Sequence, residues 1–156
     1  MTLDLCVQAL VAQFRVIAAT RMADVPVCHP GLQVAAVGFE PDPAGGAVGV
    51  LITPWFMNLL WLPDPGSEQL PLRVGETRAR SVGGDRFDFI GGHEDGIGAF
   101  EACSLFSPMF EFADQAAVLA TAQAVLDHLR QPVVTPPVPE PVPARRAFLL
   151  GARGAA

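Results

Sequence analysis

A single α+β domain, in which a mostly antiparallel sheet packs against two main helices and a proline-rich C-terminal tail follows, is the fold the sequence predicts. Three features point to it. An apolar period of helical type marks both ends of residues 1–131, short Val- and Ile-rich runs punctuated by Pro and Gly lie between, and proline density rises abruptly after residue 131. At 156 residues, with 51% apolar and 17% charged side chains, the chain suits one compact domain with ample core material.

Leu3, Val7, Leu10, Phe14 and Ile17 advance in steps of four and three, so residues 3–22 read as a first helix that Pro26 and His29-Pro30-Gly31 bring to an end. Residues 33–39 and 47–53 read as a hairpin closed by Pro41-Asp42-Pro43-Ala44-Gly45-Gly46. Residues 56–62 are too apolar for a half-exposed strand and read as a strand buried on both faces, with a helical turn as the alternative. Residues 63–84 gather prolines, glycines, Arg73, Arg78 and Arg80, and read as an irregular surface excursion with room for a short strand at 72–74. Alternation of Phe87 and Phe89 with Arg86 and Asp88 predicts a half-buried strand over 86–90. Gly91-Gly92-His93-Glu94-Asp95-Gly96 reads as an acidic turn leading into a strand over 97–105. Val118, Ala122, Val125 and Leu129 restore the helical period over 114–130, with Asp114 as N-cap and Pro132 beyond its end. Residues 132–143 hold six prolines, a density that predicts an extended spacer, so the folded domain is expected at 1–131 and the linker and tail at 132–156.

Sixteen acidic residues against ten basic ones leave a formal charge of -6, which argues against nucleic acid and favours cationic or apolar partners. All ten basic residues are arginine, so lysine-dependent chemistry is excluded. Cys6, Cys28 and Cys103 are odd in number and widely spaced, which predicts neither a disulfide framework nor a zinc ribbon and suits a reducing cytoplasm. The N-terminus lacks a basic region and a cleavage site, and no apolar run approaches the roughly 20 residues that span a bilayer, so neither export nor membrane insertion is expected.

No nucleophile–base pair, phosphate-cradling loop or dinucleotide fingerprint is legible, and the expectation is a non-enzyme without catalytic residues or a cofactor. Cys28, His29, His93 and Cys103 carry ligand types suited to zinc, nickel or iron, but their spacing supports no site. A metal-handling or redox-protective role is therefore the alternative rather than the first reading.

The densest acidic stretch, Glu94, Asp95, Glu101, Glu111 and Asp114, is interleaved with Leu105, Phe106, Met109 and other apolar residues. An apolar groove edged by carboxylates is the complement of a peptide carrying arginines beside leucine and phenylalanine. Trp55, Met57 and Asn58, after Thr53-Pro54, offer a second candidate contact surface, for which core packing is an equally good explanation of Trp55 and Phe56.

Ile52-Thr53-Pro54-Trp55, Glu94-Asp95-Gly96, the run Cys103-Ser104-Leu105-Phe106-Ser107-Pro108-Met109 and the terminal Arg145-Arg146-Ala147-Phe148-Leu149-Leu150-Gly151 together resemble the HybE/HupJ/HoxT family of [NiFe]-hydrogenase assembly proteins. The likeness covers essentially the whole chain. It implies an α+β fold and a non-catalytic cytoplasmic chaperone that recognises the twin-arginine signal peptide of the hydrogenase small-subunit precursor and holds back export until assembly is complete. The large subunit is a further candidate partner, and some members are thought to protect maturation in oxygen. The family supplies no catalytic motif, so the expected partner-binding residues come from the residues themselves. They are Trp55, Met57, Asn58, Glu94, Asp95, Glu101, Leu105, Phe106, Pro108 and Met109, with the leader helix lying in their groove.

Arg145, Arg146, Phe148 and Leu149 themselves resemble a twin-arginine motif at the wrong end of the chain and without a long apolar segment after it. That placement predicts a decoy, tethered by the proline-rich spacer, that occupies the groove of its own or a neighbouring subunit. A disordered basic tail is the alternative.

Overall fold

The computed structural model describes residues 2–64 and 72–131, and the spacer and arginine-bearing tail predicted at 132–156 lie outside the described residues. Helix α1 spans Leu3–Ala19, β1 Ala35–Pro41, β2 Ala47–Ile52, β3 Met57–Leu62, β4 Thr77–Val82, β5 Asp85–Glu94, β6 Gly98–Phe106, and α2 Gln115–Leu129. Every strand pairing is antiparallel, in the order β1-β2-β3-β6-β5-β4. One helix covers each face.

The Thr2 side chain caps α1 by accepting from Leu5 N–H at 3.3 Å, and Asp4 adds a favourable charge in the first turn. Leu10, Phe14 and Ile17 are buried, the spacing that places one stripe against a sheet. The helix ends at Ala19, three residues before the predicted limit. Thr20, the C-cap, has left helical geometry and turns its hydroxyl back to Val16 O at 2.6 Å.

β1 and β2 form the predicted hairpin, with a register shift between Val37 and Glu40. Gly38 sits at that shift with φ +62, and a Cβ there would stand 2.6 Å from Leu126 Cδ1 on α2, so only glycine suits both the backbone and the approaching helix. β2 is buried throughout and β3 nearly so, as an apolar run at the centre of a covered sheet should be. Val48, Val50, Ile52, Leu59 and Trp61 join Val118, Ala122, Leu126 and Leu129 on the α2 face. Leu51, Leu60 and Leu62 join Leu10, Phe14 and Ile17 on the α1 face.

Asp114 caps α2 by accepting from Ala117 N–H at 2.9 Å. Gln115 ties that end to the segment leading into β1 by exchanging two hydrogen bonds with the Gln33 backbone, at 2.9 and 3.1 Å. At the other end Arg130 donates to Glu40 and to Val48 O, each at 2.9 Å.

Two expectations need correction. The excursion over 63–84 contains a regular edge strand, β4, and 72–74 is not a strand. The run Gly91–Glu94, expected in a turn, continues β5, so the turn is confined to 95–97. In β4 the arginines alternate with Thr77, Ala79 and Ser81, and a two-residue Gly83-Gly84 turn joins Val82 to Asp85. Gly83 has φ +61, and a Cβ on it would lie 1.7 Å from Leu129 O, so the turn can tuck beneath the end of α2.

Candidate functional site

Thr53 leaves β2 fully buried and shapes the turn into β3. Its hydroxyl accepts from Trp55 N–H at 3.3 Å and Phe56 N–H at 3.0 Å, while its own N–H donates to Phe56 O at 2.8 Å. Trp55 and Phe56 are thereby held half-buried at the rim of the α1 face, with their rings edge-on at 5.6 Å.

Phe14 meets Phe56 and Phe100 edge-to-face at 6.0 and 6.3 Å. These rings, Ile17, Leu60 and Met22 line an open groove of about 300 Å³ that also exposes three polar side chains, Asn58, Glu94 and Arg21. Asn58 Oδ1 is buried without a hydrogen-bond partner in the described structure. A buried acceptor left unpaired in this way is uncommon in a native fold and is costly unless something donates to it. Glu94, at the end of β5, has 22% side-chain exposure and accepts from the Arg21 guanidinium at 2.6 Å. An apolar trough with a carboxylate in it can receive a cation carried on an apolar chain.

The expected binding residues do not share one concavity. Trp55, Asn58 and Glu94 line this groove. Pro108 is exposed just beyond Ser107, whose hydroxyl donates to Trp55 O at 3.4 Å, so it lies at the same end of the sheet. Asp95 is exposed in the turn after Glu94. Met57 and Met109, expected beneath the leader, are fully buried in the α2-face core, and Leu105 and Phe106 pack against that same core, where Phe106 meets Phe112 at 5.2 Å. For Met57 the physical reason is strand alternation, since Met57 and Asn58 are neighbours in sequence and face opposite sides of the sheet, while an extra residue in β6 opposite them lets Leu105 and Phe106 share one face.

Glu101 departs furthest from the expectation of an outward-facing carboxylate. Only 1% exposed, it takes two hydrogen bonds from Arg80, Nε at 2.6 Å and an outer nitrogen at 3.0 Å, and Arg78 Nε lies 3.8 Å away. The Arg80 guanidinium also covers the Trp61 ring at 3.7 Å. Its counter-charges are internal, so it is not available to a partner's arginine.

The metal alternative finds both ring nitrogens of His29 engaged. Nδ1 accepts from Gly31 N–H at 3.0 Å, and Nε2 stands 2.8 Å from Phe112 O, to which it donates. Cys28 Sγ donates to Met22 O at 3.3 Å, and its thiol is pushed up by burial. Cys103 lies on the α2 face, pushed up by burial first and by the Asp88 carboxylate second. Among the described residues no three His, Cys, Asp or Glu side chains are grouped to hold an ion.

Sequence reasoning missed Arg21, Phe14, Ile17 and Phe100 as walls of the groove. Ile17 and Phe14 carried a visible helical period, and Phe100 lies on the same sheet face as Leu60 and Ala102. Nothing local marks Arg21, which meets Glu94 across 73 positions of sequence.

Residues 6–151 match the family model described as [NiFe]-hydrogenase assembly, chaperone, HybE. The chain is 48% identical to protein HoxT of Cupriavidus necator, with 94% of this chain and 89% of that one covered. It is 38% identical to the hydrogenase expression/formation protein HupT of Azotobacter chroococcum, covering 96% and 97% respectively. The solution structure of HybE from Escherichia coli superposes with a TM-score of 0.66 at 27% identity, over 92% of this chain and 88% of that one. No helix among the described residues is long and apolar enough to cross a membrane.

Proposed function

The chain belongs to the HybE family of [NiFe]-hydrogenase assembly chaperones, and from that premise we propose that it binds the hydrogenase small-subunit precursor in the cytoplasm through its twin-arginine signal peptide. Binding holds back export until assembly is complete. The role is one of recognition without catalysis, and the large subunit is a further partner to test.

The observation that carries this reading is the groove on the α1 face. A leader of this kind joins a pair of guanidinium groups to an apolar segment, and the groove joins Glu94 to aromatic walls. An arginine on Glu94 would be followed by leucines against Trp55, Phe56 and Phe100, the helix-in-groove mode of recognition. Asp95, in the turn next to Glu94, is suited to the second arginine, and the formal charge of -6 favours approach of a basic leader.

Copurification tests it. From cells making the small-subunit precursor with and without its leader, complex is expected only when the leader is present. Equal recovery of the leaderless subunit would reject signal-peptide recognition. The segment carrying Arg145, Arg146, Phe148 and Leu149 is proposed as a tethered competitor for the same groove, in its own or a neighbouring subunit.

A further inference from the structure

We infer that Arg21 is a resident stand-in for the ligand's arginine: its guanidinium occupies Glu94, and an incoming leader must displace it. The inference rests on the proposed reading of the groove and concerns how that groove is kept from accepting weaker ligands.

The two arginine–carboxylate pairs of this protein make the contrast. Arg80 holds Glu101 through two hydrogen bonds, and both side chains are nearly buried, at 12% and 1% exposure. Arg21 holds Glu94 through one contact at 2.6 Å and is itself 61% exposed. A guanidinium that offers only one of its donors, largely in water, gains little net free energy from its pair, whereas a buried bidentate pair is locked by the cost of separating it. Arg21 also sits beyond the end of α1, in the turn over 20–24, so its removal from Glu94 breaks no hydrogen bond of the helix.

The groove offers an incoming chain more than the one contact Arg21 makes. Asn58 lines the same groove as Glu94, together with the rings of Trp55, Phe56 and Phe100. A peptide arginine with five donors in a fixed fork can engage Glu94 through two of them, while its apolar neighbours lose water against Phe56 and Phe100. Arg21 therefore keeps Glu94 neutralised when the site is empty and yields to a chain that brings more than charge. An arginine without an apolar companion exchanges like for like and gains nothing, which makes the latch a filter for the combined motif.

The test measures affinity for a synthetic leader peptide that carries the arginine pair and its apolar segment. Arg21→Ala should bind about two- to fivefold more tightly than the wild type, the range expected when an exposed pair is removed from competition. Arg21→Lys should stay near the wild type. Arg15→Ala, an equal change of charge at an exposed position within α1, should leave the affinity unchanged. In the Glu94→Ala background, Arg21→Ala should give no gain, because there is no longer a carboxylate to free.

Tighter binding by Arg21→Ala that is absent from Arg15→Ala and abolished by Glu94→Ala supports the latch. Equal affinities for Arg21→Ala and the wild type, or an equal gain in Arg15→Ala, overturn it while leaving signal-peptide binding standing. If the wild type and Arg21→Ala both fail to bind the peptide, the proposed function itself falls.

Discussion

Arg80 and Glu101 form a bidentate ion pair inside the α2 face, at 2.6 and 3.0 Å, with the Arg80 guanidinium stacked on Trp61. The Glu101→Ala substitution should destabilise the fold by about 3–5 kcal/mol, because it leaves a nearly buried guanidinium uncompensated. Glu101→Leu combined with Arg80→Met should cost much less. Urea unfolding of the three proteins checks the order, and a double variant no more stable than Glu101→Ala would contradict the account.

Glu94→Ala should weaken leader-peptide binding about tenfold or more, and Glu94→Ala with Asp95→Ala should also flatten its dependence on salt. Calorimetric titration at two ionic strengths reads both effects. An unchanged constant removes these carboxylates from the site.

Trp55→Ala and Met109→Ala should separate binding from stability. Trp55 stands half-exposed at the groove rim, so its loss should lower peptide affinity with a modest effect on unfolding. Met109 is fully buried, and its truncation should cost about 2–5 kcal/mol while leaving affinity near the wild type at a temperature where the variant is folded. Equal affinities for Trp55→Ala and the wild type would argue that the leader lies elsewhere.

Deleting residues 144–156 should tighten peptide binding several-fold if the tail competes for the groove at the high local concentration a tether provides. Arg145→Ala with Arg146→Ala should reproduce the deletion. Binding that is unchanged or weaker in both would dismiss the decoy.

Stability should decline on the alkaline side as Cys103 and Cys28 ionise. Both thiols are raised in the folded protein, so between the unfolded and folded pKa values the unfolded chain has given up protons that the native chain retains. The contribution is whole below the ordinary thiol value of 9.0 and is lost as pH climbs through the raised one. Unfolding midpoints across that window should fall less in Cys28→Ala with Cys103→Ala than in the wild type.

Much of the fold was legible because its signals are local. The apolar steps of α1 and α2 and the fully apolar run of β3 each reflect how one segment meets a core, and the structure places them where those patterns indicate. β4 was not legible, because Arg78 and Arg80 face the buried side and give the strand the look of a surface loop. Their need for a counter-charge is met by Glu101, a residue of a different strand two places away in the sheet. The Gly83-Gly84 turn was the available signal, since two glycines flanked by alternating residues suit a tight hairpin.

The candidate site divides along the same line. Residue chemistry was readable, and Trp55, Asn58 and Glu94 do line one groove. Their expected companion Met57 went to the opposite core because a pleated strand sends adjacent side chains to opposite faces. The register passes from Met57↔Phe106 to Asn58↔Ser104, leaving Leu105 as an extra residue in β6 so that it and Phe106 both pack on that core, and Met109 lies beyond the end of β6.

By itself, the order of amino acids determined the helices, the central strands, the inventory of acidic and aromatic groups and the kinship they reveal. Only the tertiary structure decided that Glu101 is paired inside while Glu94 stands in an open groove with Arg21 upon it. Periodicity records how each segment meets a core, but which charge meets which depends on strand pairing and helix packing between residues far apart in the chain.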